Sequence, residues 1–125
     1  MILLDSSILI ELFRKQDKSK TLFYKLAQTD EKLCISAITH YEIGIGNRNS
    51  HNDYWDSLCE NLQILPFDNA CSNSAVSIYL ELLKANKMID LADILIGATA
   101  VAYSIPIATL NLKHFDRVKG LEIIK

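Results

Sequence analysis

Five short runs, residues 1–4, 32–36, 63–67, 105–109 and 121–124, are dominated by aliphatic side chains, and the stretches between the first four place apolar residues at helical rather than alternating intervals. A strand with no polar position must be covered on both faces, which is the condition met in a parallel sheet. Parallel neighbours need crossover connections, and those connections put helices on the two faces. The expected architecture is therefore an α/β three-layer sandwich, with a short, mostly parallel central sheet flanked by helices.

The helical segments read as follows. Ser6 and Ser7 are placed to cap a helix carrying Ile8, Leu9, Leu12 and Phe13, with Arg14 and Lys15 at its C-terminal end. Leu22, Phe23 and Leu26 mark one face of a second helix, with Lys18, Lys20 and Lys25 outward. Ile38, Tyr41, Glu42 and Ile45 run helically to an expected stop at Gly46-Asn47. Helices are also expected over 49–62, with Tyr54, Trp55, Leu58 and Leu62, and over 70–87, carrying Val76, Tyr79, Leu80 and Leu83. The segment 90–103 is helical and rich in small residues (Gly97, Ala98, Ala100, Ala102), which predicts close packing. With 125 residues and no linker or repeat, the whole of 1–125 is read as a single domain.

Composition excludes several functions. A net charge of −2 argues against a protein that holds nucleic acid by phosphate neutralisation alone, so metal ions or local Lys and Arg must supply any such attraction. Cys34, Cys59 and Cys71 form no Cys-x-x-Cys pair and read as buried thiols in a reducing compartment. His40, His51 and His114 are scattered, which speaks against a zinc site. The uncharged stretch 94–112 is interrupted by Ser104, Pro106 and Asn111, so a helix followed by a strand fits it better than a membrane span. No basic leader precedes the first apolar run, and a cytoplasmic location is expected.

The acidic residues are distributed in a way that suits chemistry. Asp5 closes the first strand, Glu42 lies in the helix after the second, Asp90 and Asp93 open the helix before the fourth, and Asn111 and Asp116 follow that strand. All can approach the carboxyl edge of the sheet, where such folds collect ligands. Carboxylates about 5 Å apart repel by roughly 3 kcal/mol at an effective dielectric near 20. A cluster of three is therefore unfavourable unless a hard cation such as Mg²⁺ or Mn²⁺ sits among them. With the cation bound, the group can activate water and neutralise charge on a phosphodiester. Each acid also has a bland alternative: Asp5 as a strand-end turn, Glu42 as an outward helix residue, Asp90 and Asp93 as acids favoured by the helix dipole.

Four segments carry a family resemblance: Leu3-Leu4-Asp5-Ser6-Ser7-Ile8-Leu9-Ile10, Ser36-Ala37-Ile38-Thr39-His40-Tyr41-Glu42-Ile43, Asp93-Ile94-Leu95-Ile96-Gly97-Ala98-Thr99-Ala100 and Ala108-Thr109-Leu110-Asn111-Leu112-Lys113-His114-Phe115. In this order and spacing the chain resembles the PIN domain, and within it the VapC-type toxins of toxin–antitoxin pairs. The resemblance spans the whole chain. It implies an endoribonuclease that uses Mg²⁺ or Mn²⁺, with Asp5, Glu42 and Asp93 as the metal-binding and catalytic acids. It further implies Ser6, Thr109, Asn111 and Asp90 as accessory residues, an RNA substrate, a cognate antitoxin and a homodimer. The chain departs from the family at the fourth acid: Asn111 stands at that step, His114 precedes Phe115, and Asp116 is the nearest carboxylate. That departure motivates an alternative, a PIN-like module that binds RNA or protein and cuts weakly or not at all. Arg14, Lys15, Lys113, Arg117 and Lys119 are candidates to flank the site and hold an RNA backbone. A receiver-type phosphotransfer domain fits poorly, since Asp5 stands beside serines and Pro66 follows the third strand.

Overall fold

In the computed structural model, which describes residues 1–50 and 53–124, strand β1 (Ile2–Leu4) is buried at every position. It pairs in parallel with β2 (Leu33–Ser36) on one side and with β4 (Ile107–Ala108) on the other. Beyond β2 lies β3 (Gln63–Leu65), and beyond β4 lies β5 (Ile123–Ile124), so all pairings are parallel and the order is β3-β2-β1-β4-β5. The chain grows outward from β1 through β2 to β3, then crosses back to place β4 on the opposite side of β1. Such a reversal opens a crevice at the carboxyl ends of the two strands between which it occurs. Here those strands are β1 and β4.

The pleat sorts the sheet's side chains between two cores. Ile2, Leu4, Ile35 and Ala108 face the first, completed by Ile8 and Leu9 of α1 (Ser6–Arg14), Leu26 of α2 (Leu22–Ala27), Ile43 of α3 (Ala37–Ser50) and Trp55 of α4 (Asp53–Asn61). Leu3, Cys34, Leu65 and Ile107 face the second, with Ile96 and Ala100 of α6 (Leu91–Tyr103) and Phe115 of α7 (Leu112–Phe115). Outside α6 runs α5 (Asn69–Ala85), and Ala75, Ile78 and Leu82 meet Ile94 and Ala98 there. The small residues of α6 let it serve both the sheet and α5. Gly97, Ala98 and Ala100 are all buried, and a methyl at Gly97 would stand 3.7 Å from the Phe115 ring.

Helix ends follow the local chemistry. Asp5 caps α1, the Thr21 hydroxyl accepts from the Tyr24 amide at 3.1 Å to cap α2, and Asp68 accepts from the Cys71 amide at 3.1 Å to cap α5. Asn86 and Ser104 take the left-handed conformation that closes α5 and α6. The three cysteines are free thiols, and burial pushes Cys34 up to about 11. No helix among the described residues is long and apolar enough to cross a membrane.

Four expectations change. Helix α3 runs through Gly46 to Ser50 instead of stopping, because neither Gly44 nor Gly46 adopts the positive φ that a glycine stop requires. The side of α5 that faces the core is Cys71, Ala75, Ile78 and Leu82, while Val76, Tyr79, Leu80 and Leu83 are exposed. Lys18 does not point outward: its ammonium donates to the carbonyls of Leu12, Phe13 and Lys15 at 2.5, 3.3 and 2.7 Å, capping α1 where the dipole favours a cation. The short helix α7 between β4 and β5 adds an element the periodicity does not reveal. Of the helix expected over 49–62, residues 51 and 52 lie outside the described residues, and His51 with them.

Gly46 has helical backbone and open space around the position of a β-carbon. Gly46→Ala is therefore expected to raise stability by about 0.5–1 kcal/mol, through the lost freedom of the unfolded chain. A urea midpoint equal to or below that of the parent protein would contradict a helix through this position.

Candidate active site

Asp5 is the first residue beyond β1, and only 3% of it is exposed. Its Oδ1 accepts from the Ser7 amide at 3.0 Å, the Ser7 hydroxyl at 2.5 Å and the Ile8 amide at 3.4 Å. Its Oδ2 accepts from the Thr109 hydroxyl at 2.6 Å, across the crevice between β1 and β4. The end of β4 is fastened in return: the Leu110 amide donates to Ser7 Oγ at 2.9 Å and the Asn111 amide to Thr109 Oγ1 at 2.8 Å.

From Asn111 the network reaches the third acid. Asn111 Nδ2 donates to Asp93 Oδ2 at 3.3 Å, and His114 Nδ1 lies 2.6 Å from the same oxygen. Asp93 sits in the first turn of α6, with Asp90 at the N-cap one turn earlier. The ligand atoms of Asp90, Asp93 and His114 all lie within 4.8 Å of one another. On the other side of Asp5, the Ser6 hydroxyl donates to Glu42 Oε1 at 2.7 Å, and Ser6 Oγ stands 3.4 Å from Thr39 Oγ1. Thr39 is itself tied to Ser36 at the end of β2, whose Oγ accepts its amide at 3.0 Å.

The three principal acids thus share one feature. Each has an oxygen held by the protein, and each keeps open capacity: Asp5 at Oδ2, Asp93 at Oδ1 and Glu42 at Oε2. Oriented carboxylates with free lone pairs suit a hard divalent cation. Among the described residues, the group whose ligand atoms lie close enough together to share one is Asp90, Asp93 and His114. Burial is the chief reason the Asp5 carboxyl is held above its ordinary value of 3.8; bonds from Ser7, Thr109 and Ile8 oppose that, and the nearby charge of Asp93 adds to it.

A profile of the PIN domain matches residues 2–121. The chain belongs to the PIN domain family. Among curated proteins it is 30% identical to the VapC ribonuclease Y4jK of Sinorhizobium fredii, over 99% of this chain and 96% of that one. It is 32% identical to ribonuclease VapC1 of Methanocaldococcus jannaschii, over 98% of this chain and 85% of that one. Among solved structures it superposes on VapBC2 of Rickettsia felis bound to a promoter DNA fragment, with a TM-score of 0.87 at 24% identity, covering 99% of this chain and 98% of that one. FitAcB of Neisseria gonorrhoeae gives 0.84 at 26% identity, covering 100% and 97%.

Within this PIN fold the residues singled out from the sequence fall into place unevenly. Asp5, Thr109, Asn111 and Asp93 lie in one hydrogen-bonded network. Ser6 and Glu42 form a second with Thr39 and Ser36, beside the first because Ser6 follows Asp5 in the chain. Asp90 comes closer to Asp93 than its accessory rank implies. Asp116 is exposed at the end of α7, and its side chain makes no hydrogen bond to the cluster among the described residues. In its stead α7 delivers His114, which sequence reading passed over as one of three scattered histidines. The available signal was its position three residues after Asn111, hence on the same side of a helical turn.

The basic candidates divide as well. Arg14 and Lys15 line a groove of about 430 Å³ with Ser7, Ile10, Glu11 and Leu110, and Ser7 joins that groove to Asp5. Lys113 is exposed next to His114. Arg117 instead donates to the carbonyls of Lys87 and Met88 at 3.4 and 3.1 Å, bracing the turn before α6. Lys119 borders a separate hollow with Glu81 and Lys84. Trp55 is core, 6.0 Å edge-on from the Phe13 ring.

Asp5 has a consequence for stability. Its folded carboxyl keeps a proton to higher pH than the unfolded chain does, so its contribution to metal-free stability is fully present below about 3.8. That contribution is lost as pH rises through the raised folded value. Asp5→Asn is expected to flatten this fall in urea denaturation with EDTA across the acidic range. An unchanged slope would mean that Asp5 is not the group responsible.

Proposed function

We propose that the protein is a VapC-type toxin, a cytoplasmic endoribonuclease that uses Mg²⁺ or Mn²⁺ and is held in check by a cognate antitoxin. The observation that carries this reading is the hydrogen-bonded network that ties Asp5 and Asp93 at the switch point of the sheet, beside which Ser6, the residue after Asp5, holds Glu42. The ribonuclease names of relatives aligned over nearly the whole chain support it. So does the fold shared with a toxin–antitoxin complex from Klebsiella pneumoniae.

Asp5 and Asp93 would hold the cation, with Glu42 completing the set. A bound divalent cation lowers the pKa of a water molecule and offsets charge on a phosphate. The protein's own part is positional. Thr109 and Ser7 keep the Asp5 carboxylate from rotating, Asn111 does the same for Asp93, and Ser6 aims Glu42 from the solvent side. Arg14, on the groove that leads to Ser7, is placed to hold a phosphate of the strand being cut. Lys15 already pairs with Glu11 at 3.6 Å and adds a weaker field.

Asp93→Asn should lower the rate of RNA cleavage by on the order of 100-fold or more with the fold intact, and EDTA should abolish cleavage. Cleavage unaffected by both would end this reading. The alternative of a non-cutting module rests on the incomplete fourth acid, the step where Asn111 stands, and calorimetry with Mn²⁺ separates the two.

A homodimer is part of the same proposal. Val76, Tyr79, Leu80 and Leu83 form an exposed stripe at helical spacing on α5, continued by Leu91 and bordering a hollow of about 300 Å³. A two-fold pair would bury the same stripe on both copies. Leu80→Arg is expected to give a folded monomer by light scattering after size exclusion; a dimer of unchanged mass would place the interface elsewhere.

A further inference from the structure

His114 is the feature of the site that the carboxylates do not explain. Its imidazole lies where α7 brings a side chain back over Asp93, 2.6 Å from Oδ2, and Asn111 Nδ2 is 2.9 Å from the same ring nitrogen. The ring is well fixed. The next residue, Phe115, is fully buried against Gly97 of α6, and the His114 and Asp93 side chains are 30% and 17% exposed. A nitrogen donor held this way, with two carboxylates inside 4.8 Å, is not an all-oxygen cage.

We infer that His114 is itself a ligand of the catalytic cation and that this centre therefore favours Mn²⁺, or a later first-row ion, over Mg²⁺. The inference rests on the ribonuclease reading above and deepens it. Mg²⁺ is bound through oxygen and retains water, whereas imidazole suits transition ions, with affinity rising from Mn²⁺ through Co²⁺ to Ni²⁺. An imidazole ligand also brings no negative charge, which favours Mg²⁺ less than an ion that gains a nitrogen bond. To bind a cation Nδ1 must offer its lone pair, which places the ring proton on Nε2. The other reading of the contact is that His114 only steadies Asp93, as a positioning residue.

The test uses the full chain stripped of metal, with MnCl₂, CoCl₂ and MgCl₂ as probes. Pulsed electron paramagnetic resonance of the Mn²⁺-loaded protein should show modulation from a directly bound imidazole nitrogen. The pattern should change from ¹⁴N to ¹⁵N when the protein is made with ¹⁵N-histidine, and it should vanish in His114→Asp. Calorimetry should give at least tenfold tighter binding of Mn²⁺ than of Mg²⁺, a ratio that His114→Asp reduces by about tenfold. Because the spectrum of the parent protein needs no substitution, a variant that fails to fold leaves the test intact. Mn²⁺ bound and RNA cut, with no nitrogen modulation, would overturn the inference and leave the ribonuclease standing. No divalent ion bound and no cleavage would overturn both.

Discussion

The bond from Thr109 to Asp5 is the contact on which the remainder depends, because it joins residues 104 apart in the chain at the place where two strands diverge. A carboxyl group with almost no access to water is tolerable only when its oxygens are occupied. The four donors that occupy them belong to the start of α1 and the end of β4. The Asp5 amide adds a bond to the Ala108 carbonyl at 3.1 Å, extending the β1–β4 ladder by one residue. One side chain therefore caps a helix, pins a strand pair and fixes its own carboxylate at the mouth of the crevice.

That economy explains why the layers could be read from sequence while parts of the site could not. The inner strands are apolar and buried on both faces, so the parallel sheet follows from the runs around Leu3, Cys34 and Ile107, with edge strands at the runs around Ile64 and Ile123. Helix boundaries follow less well. Nothing in the bare sequence says whether Gly46 ends a helix, because the answer lies in a backbone angle set by the turns around it. On α5, leucine and valine on one side and cysteine, alanine and isoleucine on the other are both plausible inner faces. The packing against Ile94 and Ala98 of α6 selects the side with Ala75, Ile78 and Leu82. Asp5, Glu42 and Asp93 were legible as acids at strand ends and helix starts, whereas His114 was not. Its place depends on α7, a single helical turn whose position is fixed by Phe115 inserting beside Gly97.

The site is also where the fold works against itself. Asp5 and Asp93 repel, burial opposes ionisation of Asp5, and Asp90 stands at its helix N-terminus without a side-chain capping bond. Elsewhere the polar groups are satisfied: no buried side-chain nitrogen or oxygen among the described residues lacks a partner. Local conflict inside a consistent surrounding is what a functional site produces, since the same groups would be replaced if only folding were at stake.

The central position of β1 has a consequence for how the protein is made. Its first edge is filled by β2 some thirty residues later, but its second edge waits for Ile107 and Ala108. A growing polypeptide that has left the ribosome only as far as β3 contains Asp5 and Glu42, yet has neither Thr109 to hold the one nor Asp93 to face it. Any product of interrupted translation that stops before the last strand pair is therefore a chain with the acids and without the site.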